Sequence, residues 1–366
     1  MIAFDELWHR KGQFALIGLI VTLVAYLVFM INALGAGLLE QAGSAVKRLN
    51  ADALVFADTA NLSLQQSELS AQTVAAIRSA PGVEASSALG YVSVQPSTDP
   101  EKGPVAFLGF EPGTISEPKL TDGRALAPGE TGAVLADRRF LEDRGLAVGD
   151  TVEVTSRLQP YTLEIVGEVD EGPFFFQNPL WGAIEDWRLL KYGDDPQAPA
   201  ATLVMVSGAG GLTDSVPQHV PGTEAATPAQ TFNSIPGVGP QQNTANAIQG
   251  FGLVIGATVI GVFFYVLTLQ KVGQIGILKA IGASSWFVFR QLLVQVLLIS
   301  TIGLIIALPL TVVTVDLLQA SVPLLVEPSR IVLTVVLLLG TAVVGVLFSG
   351  RRIATVDPLI ALGQQQ

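Results

Sequence analysis

The sequence contains no cysteine. Disulfides, thiolate-held zinc and iron–sulfur clusters are thereby excluded. Histidine occurs twice, at positions 9 and 219, too far apart in sequence to read as a metal motif. Charge is scarce as well, at 14% of residues, where a soluble domain carries about a quarter. The net charge of −11 is the wrong sign for a nucleic-acid footprint. No G-x-x-x-x-G-K-[ST] loop is present, so this chain has no P-loop to cradle ATP phosphates. H-E-x-x-H, G-x-S-x-G and H-x-E…C-x-x-C are also missing. The carboxylate pairs Glu142–Asp143, Asp170–Glu171 and Asp194–Asp195 are adjacent in sequence. Such neighbours point to different sides and read as solvated surface. Nothing in the sequence argues for an enzyme.

What is abundant is apolar sequence: hydrophobic residues make up 50% of the chain. Crossing ~30 Å of hydrocarbon takes about 20 apolar residues. Four runs meet that length: 14–39, 247–270, 291–315 and 331–350. The first has no small-x-small cleavage site and reads as a retained anchor. Basic residues gather on one side of the runs. Arg10 and Lys11 precede the first, Lys271, Lys279 and Arg290 separate the second and third, and Arg351 and Arg352 follow the fourth. By the positive-inside rule both termini are cytoplasmic and the protein sits in the cell membrane. The expected fold class is membrane α-helical, with four transmembrane helices and an inserted extracytoplasmic α+β domain. The expected divisions are a cytoplasmic segment 1–13, a first span 14–39, and a stalk and outer domain 40–246. A second span 247–270, a cytoplasmic region 271–290 and a third span 291–315 follow. An outer loop 316–330, a fourth span 331–350 and a cytoplasmic tail 351–366 complete the chain. Residues 45–246 hold 25 of the 31 acidic but 12 of the 20 basic residues. That acidity reads as a soluble, solvated surface.

Within the outer segment, Ala53–Ala57, Tyr91–Val94, Val105–Leu108, Thr151–Val154, Tyr161–Val166 and Thr202–Val206 read as strands. Gln72–Ser79 and Asp137–Arg144 read as short helices. Two lobes are expected, and 208–242, rich in Gly, Pro, Ser and Thr, reads as irregular linker. Leu38, Leu39, Ala42, Ala45, Val46 and Leu49 continue a helical apolar stripe past the first span. That stripe predicts a stalk carrying the first helix into the outer domain.

The segment Thr268–Leu293 carries Ile275, Ile277, Leu278 and Ile281 at helical spacing, ended by Gly282. On spacing alone, a helix docked in a partner's groove and a helix resting on headgroups are equal readings. The run Ile275-Gly-Ile-Leu-Lys-Ala-Ile-Gly-Ala283 resembles the coupling-helix signature of MacB/FtsX-type ABC transporter permeases. Arg351-Arg-Ile-Ala-Thr-Val-Asp-Pro-Leu-Ile-Ala-Leu362 resembles their closing segment. Gly129-Glu-Thr-Gly-Ala-Val-Leu-Ala-Asp137 and Gly145-Leu-Ala-Val-Gly-Asp-Thr-Val152 resemble their periplasmic core domain. A narrower resemblance, to the HrtB haem-exporter and DevC-like branch, rests on Asn32-Ala-Leu-Gly-Ala-Gly-Leu-Leu39, Ala51-Asp-Ala-Leu-Val-Phe56, Asn61-Leu-Ser-Leu-Gln-Gln-Ser67 and Ile235-Pro-Gly-Val-Gly-Pro-Gln-Gln-Asn-Thr244.

The resemblance implies a permease without catalysis of its own, paired as a homodimer in the bilayer with two copies of a separate ATPase. It implies ATP bound by that partner, no intrinsic cofactor, and haem or another hydrophobic molecule as exported substrate. Lipoprotein or peptide export, and a non-transporting scaffold acting on a cell-wall hydrolase, are the rival expectations. The expected ATPase-coupling residues are Gln274, Ile275, Gly276, Ile277, Leu278, Lys279 and Gly282. Gln274 departs from the glutamate that the family commonly carries. For substrate, Glu40 is the carboxylate near the outer end of the first span and a candidate ligand of haem iron. Its other reading is a solvated interfacial carboxylate. Ala33, Ala36 and Gly37 lie on its helix face, as a flat wall for a planar ligand or a surface that lets two helices pack closely. Met30 offers a soft contact and Phe251 an aromatic one, with ordinary packing as the other reading of each.

Overall fold

The structure is a computed structural model and describes residues 11–97, 99–157, 159–270, 282–319 and 322–354. The chain forms two compact units. One runs from Leu39 to Pro240; the other joins the residues before it to those after it.

In the Leu39–Pro240 unit the strands are β1 (Ala53–Ala57), β2 (Val83–Pro96), β3 (Val105–Phe110), β4 (Leu120–Gly123), β5 (Ala133–Asp137), β6 (Thr151–Ser156), β7 (Gln159–Val169), β8 (Leu180–Ala183), β9 (Leu203–Gly208) and β10 (Thr223–Ala226). They make one sheet in the order β10-β1-β9-β2-β3-β8-β5-β7-β4, with β6 bridging β2 and β7. Pairing is antiparallel except for β3 with β8 and β5 with β7. The expected two lobes are therefore a single mixed sheet. The α+β character stands.

Successive residues of the central strands enter two different cores. Ala53 and Val55 belong to one, Leu54 and Phe56 to the other. Val204 and Val206 alternate with Leu203 and Met205 in the same way. A sheet buried on both faces reads as unbroken apolar runs, which is why ALVFA, VAFL and LVMV show no polar alternation.

Four short helices cover the first face: α2 (Ala71–Arg78), α3 (Arg138–Arg144), α4 (Ile184–Tyr192) and α5 (Leu212–His219). Trp187 of α4 lies directly on Gly90 and Gly109. A Cβ at either position would come within 2.4 Å of its side chain. The glycines are the slot that admits the indole.

The second face is closed differently. Helix α1 (Lys11–Arg48) is 38 residues long, with non-helical backbone at Gly43. Its end supplies Leu39, Ala42, Ala45 and Val46 to the second core. Phe232 of α6 (Pro228–Ser234), then Ile235 and Val238, complete the cover. The expected stalk is thus a structural layer of the domain. The stretch 208–242 is ordered rather than irregular, holding α5, β10 and α6.

The other unit is helical. It contains the start of α1 with α7 (Val238–Gln270, apart from its first residues), α8 (Ser285–Leu318) and α9 (Pro328–Ala354). Glycines let the helices approach α1. A Cβ on Gly303 would meet Val21 at 2.9 Å, and one on Gly256 would meet Val24 at 3.0 Å. Small residues play this part where apolar burial alone does not drive association. Polar links tie the same helices: Tyr26 Oη donates to Thr314 Oγ1 at 3.2 Å, and Asn32 Nδ2 to Thr334 Oγ1 at 3.2 Å.

The expectation of four transmembrane helices is corrected. Among the described residues two helices are long and apolar enough to cross a membrane, Ala15–Arg48 and Phe289–Leu318. Among the same residues, Pro328–Val344 of α9 is a shorter apolar helix. The protein is membrane-associated, with a large α+β domain.

Each fully buried Leu or Val contributes about 1.5–3 kcal/mol. A soluble fragment 39–240 is therefore expected to fold with a cooperative thermal transition. A fragment 50–240, stripped of Leu39, Ala42, Ala45 and Val46, is expected to aggregate or to bind a hydrophobic dye. Equal melting of the two would remove α1 from the core.

Candidate functional site

The charged groups of the domain converge where α1 ends. Glu40 is the first charged residue after Lys11 on α1. Its carboxylate accepts from Arg48 Nη2 at 2.7 Å and lies 3.6 Å from Arg139 Nη2. Arg48 Nη1 also donates to the carbonyl of Asp170 at 3.1 Å. Arg138 pairs with the Asp170 carboxylate at 2.5 Å. Three segments meet here: the end of α1, the start of α3, and the β7–β8 loop.

Asp137 anchors the arrangement from below the surface and is fully buried. Its carboxylate caps α3 by accepting from Arg139 N, and accepts from Gly172 N at 2.9 Å. Burial pushes its pKa up, against the lowering effect of those two N–H donors and of the Arg139 charge. Backbone bonds complete the join. Ala45 N donates to Pro173 O at 3.3 Å, and Phe176 N to Gln41 O at 2.8 Å. Gly172 has φ +87, and a Cβ there would strike Ser44 Oγ at 2.6 Å. The β7–β8 loop and the end of α1 therefore touch backbone to side chain. This clamp fastens the helix to the domain.

A cleft lies in the helical unit. It is lined by Phe29, Ala33 and Ala36 of α1, Leu308 and Thr311 of α8, and Thr334 of α9, among others. Its polar end carries Glu327 and Arg330, paired at 2.7 Å. Its volume is about 20 Å³, room for about one water.

The expected substrate residues separate. Ala33 and Ala36 line the cleft, but Leu325 N donates to Ala33 O at 3.0 Å. A Cβ on Gly37 would sit 2.1 Å from Pro323 O, so the loop between α8 and α9 rests on the small-residue wall. Met30 is half-buried on α1, and Phe251 is 69% exposed on α7. Glu40 belongs to the other unit, in the clamp. Among the described residues, no group of three or more His, Asp or Glu could hold a metal ion.

Of the expected coupling residues, Gln274, Ile275, Gly276, Ile277, Leu278 and Lys279 lie outside the described residues. Gly282 is described, with φ +101 and open space around it. It leads into Ser284, whose Oγ caps α8 by accepting from Phe287 N. Just beyond, Trp286 and Phe287 are exposed, and Trp286 stacks on Phe289 at 5.6 Å. Exposed aromatic rings at the foot of an apolar helix suit a membrane–water interface. The cluster W-F-x-F beside Arg290 was the sequence signal for it. The arginine clamp had no such signal, because Arg48 and Asp170 are 122 positions apart.

Residues 243–358 match the family described as FtsX-like permease C-terminal. A protein described as a hemin transport system permease, HrtB, from Staphylococcus haemolyticus is 24% identical over 99% of both chains. Its counterpart from Staphylococcus epidermidis is 22% identical over 100% of this chain and 99% of its own. The extracellular domain of the noncanonic ABC-type transporter YknZ aligns with 49% of this chain and all of its own, at 13% identity and a TM-score of 0.36. The sequence matches make the chain similar to ABC-transporter permeases of the FtsX/MacB-like kind.

Exposed ion pairs contribute about 0–1 kcal/mol each. Glu40 is 18% exposed and holds two of them. Glu40→Ala is expected to lower the thermal midpoint by roughly 2–4 °C, the shift for about 1 kcal/mol in a domain of this size. Glu40→Gln, which keeps an acceptor, is expected to lose less. Differential scanning calorimetry reads both. An unchanged midpoint for Glu40→Ala would leave the clamp to its backbone bonds.

Proposed function

We propose that this chain is the permease subunit of an ABC-type efflux transporter, working by mechanical transmission. One observation carries the proposal: α1 belongs to both units. Its apolar run packs among α7, α8 and α9, and its end closes a face of the β-domain and is clamped there. A displacement of α1 in the membrane is thereby delivered to the domain.

In this reading the domain Leu39–Pro240 lies outside the cytoplasm, following the basic residues that flank the apolar runs. Two copies of the chain pair with two copies of a separate ATPase. Closure of the ATPase on ATP pushes on Gln274–Gly282, and the helices shift. The substrate is haem or another hydrophobic molecule. The names of the relatives from Staphylococcus haemolyticus and Staphylococcus epidermidis support haem, and Glu40 remains the proposed iron ligand. Both guanidiniums sit at its Oε1, and their positive charge would oppose ligation of a cation by the same carboxylate.

The second reading is a scaffold whose ATPase moves the β-domain without passing a substrate through the chain, since the same joining of α1 to the domain would serve it.

Co-reconstitution with the ATPase in liposomes tests both. Export predicts that haem stimulates ATP hydrolysis and that the Soret band shifts on binding. Glu40→Ala should weaken the shift, while Glu101→Ala, on the exposed domain surface, leaves it intact. Ile277→Asp should abolish the stimulation by placing a charge in an apolar contact, at a cost of several kcal/mol, roughly. ATP hydrolysis that responds to Ile277→Asp but ignores haem, with no Soret shift, leaves the scaffold reading. Hydrolysis indifferent to Ile277→Asp contradicts both.

A further inference from the structure

The β7–β8 loop contains Phe174, Phe175 and Phe176 in a row. Phe174 and Gln177 pair as an isolated antiparallel bridge, with N–H···O bonds of 2.8 and 3.0 Å in the two directions. Phe175 and Phe176 are then the two central residues of a tight turn. Both have positive φ, 50° and 61°. A turn with positive φ at both centres normally takes Asn-Gly, because a Cβ and a large side chain are disfavoured there. Two phenylalanines are the wrong choice for the turn itself.

Two of the three rings are used by the protein. Phe174 is fully buried, 5.3 Å from Tyr91 centroid to centroid. Phe175 packs against Tyr91 at 5.5 Å and edge-on to Phe174 at 5.1 Å. Gln177 is tied to Ser93 through Nε2. Phe176 is 58% exposed, while its N–H is bonded to the carbonyl of Gln41 on α1. The backbone is held and the ring is presented.

Gln41 gives the level of that ring along α1. The helix carries no charge between Lys11 and Glu40. The run Ala15–Leu38 rises ~36 Å at 1.5 Å per residue, enough for ~30 Å of hydrocarbon. Gln41 follows Leu38 by one turn, and the non-helical residue, Gly43, comes only afterwards. A group bonded to Gln41 therefore lies at the depth where α1 leaves the bilayer.

We propose that Phe176 is a membrane-interface anchor: its ring enters the headgroup and upper acyl layer where α1 emerges. The occupant of this surface is lipid. The ring fixes the depth of the β7–β8 loop, and with it the clamp on Glu40, relative to the bilayer surface. The proposal rests on α1 crossing the membrane and is independent of what the transporter moves.

The absence of native cysteine makes the test direct. Full-length Phe176→Cys, spin-labelled and reconstituted in liposomes, is compared with Leu23→Cys on the exposed apolar face of α1 and Gln197→Cys on the exposed domain surface. Power saturation with oxygen and a water-soluble nickel chelate reads depth. The expected order is Leu23 deep, Phe176 at the interface, Gln197 in water. Leu23 deep with Phe176 as wet as Gln197 overturns the anchor alone. Leu23 in water overturns the span and the anchor together. Dipolar broadening at Phe176 that scales with protein-to-lipid ratio assigns the ring to a second copy and also overturns it. A second variant guards against a label effect. Phe176→Gly relieves the positive φ and removes no internal packing, so the thermal midpoint in detergent should rise by roughly 2–4 °C. A fall would mean that the ring packs on protein, which the proposal does not allow.

Discussion

The β-domain has an apolar sheet on both faces, and the end of α1 closes one of them. That single burial constrains the rest. Leu39, Ala42, Ala45 and Val46 have no exposed surface to retreat to without uncovering Leu54, Phe56, Leu203 and Met205. The domain therefore cannot shed the helix cheaply, and the helix cannot move its end without the domain. A hydrophobic contact of this kind has no direction of its own. It holds the helix down but leaves it free to slide or rotate.

Directional bonds remove that freedom. Gln41 and Ala45 engage the β7–β8 loop through backbone hydrogen bonds, and Glu40 and Arg48 bring charge to the same place. Asp137 is fully buried, and its two backbone donors place Gly172 against Ser44. The pKa of Asp137 is raised by burial despite those donors and the nearby Arg139, so its ionised form is held at a cost. Groups arranged in this way fix a geometry more than they add stability. The proposed mechanical transmission needs that rigidity at the join.

Much of the fold was legible. β1 is Ala53–Ala57 as the apolar run indicated, because a strand buried on both faces keeps its hydrophobicity at every position. The apolar stripe beyond Leu38 foretold the stalk for the same reason. The stretch 208–242 is ordered although its glycines and prolines read as breakers. Pro228 stands in the first turn of α6, where its missing N–H does no harm. Thr227 and Gln230 form a capping box there, a signal that outweighs composition. Four uncharged runs reach span length in the sequence, whereas two helices among the described residues meet the length and hydropathy of a span. The clamp was illegible: Glu40 and Arg139 are neighbours only through the fold, and no local pattern marks ion pairs of such separation. The resemblance to permeases rests instead on short motifs, of which residues 271–281 and 355–366 lie outside the described residues.

Amide hydrogen exchange tests the central claim most directly. The peptide spanning Gln41–Arg48 carries the Ala45 amide bonded to Pro173, and the peptide spanning Phe174–Gln177 carries the Phe176 amide bonded to Gln41. If the end of α1 is a clamped layer of the domain, both peptides exchange as slowly as the buried strand β8, in detergent and in bilayers alike. Fast exchange in both, at the rate of a fraying helix end while β8 stays protected, would contradict the account.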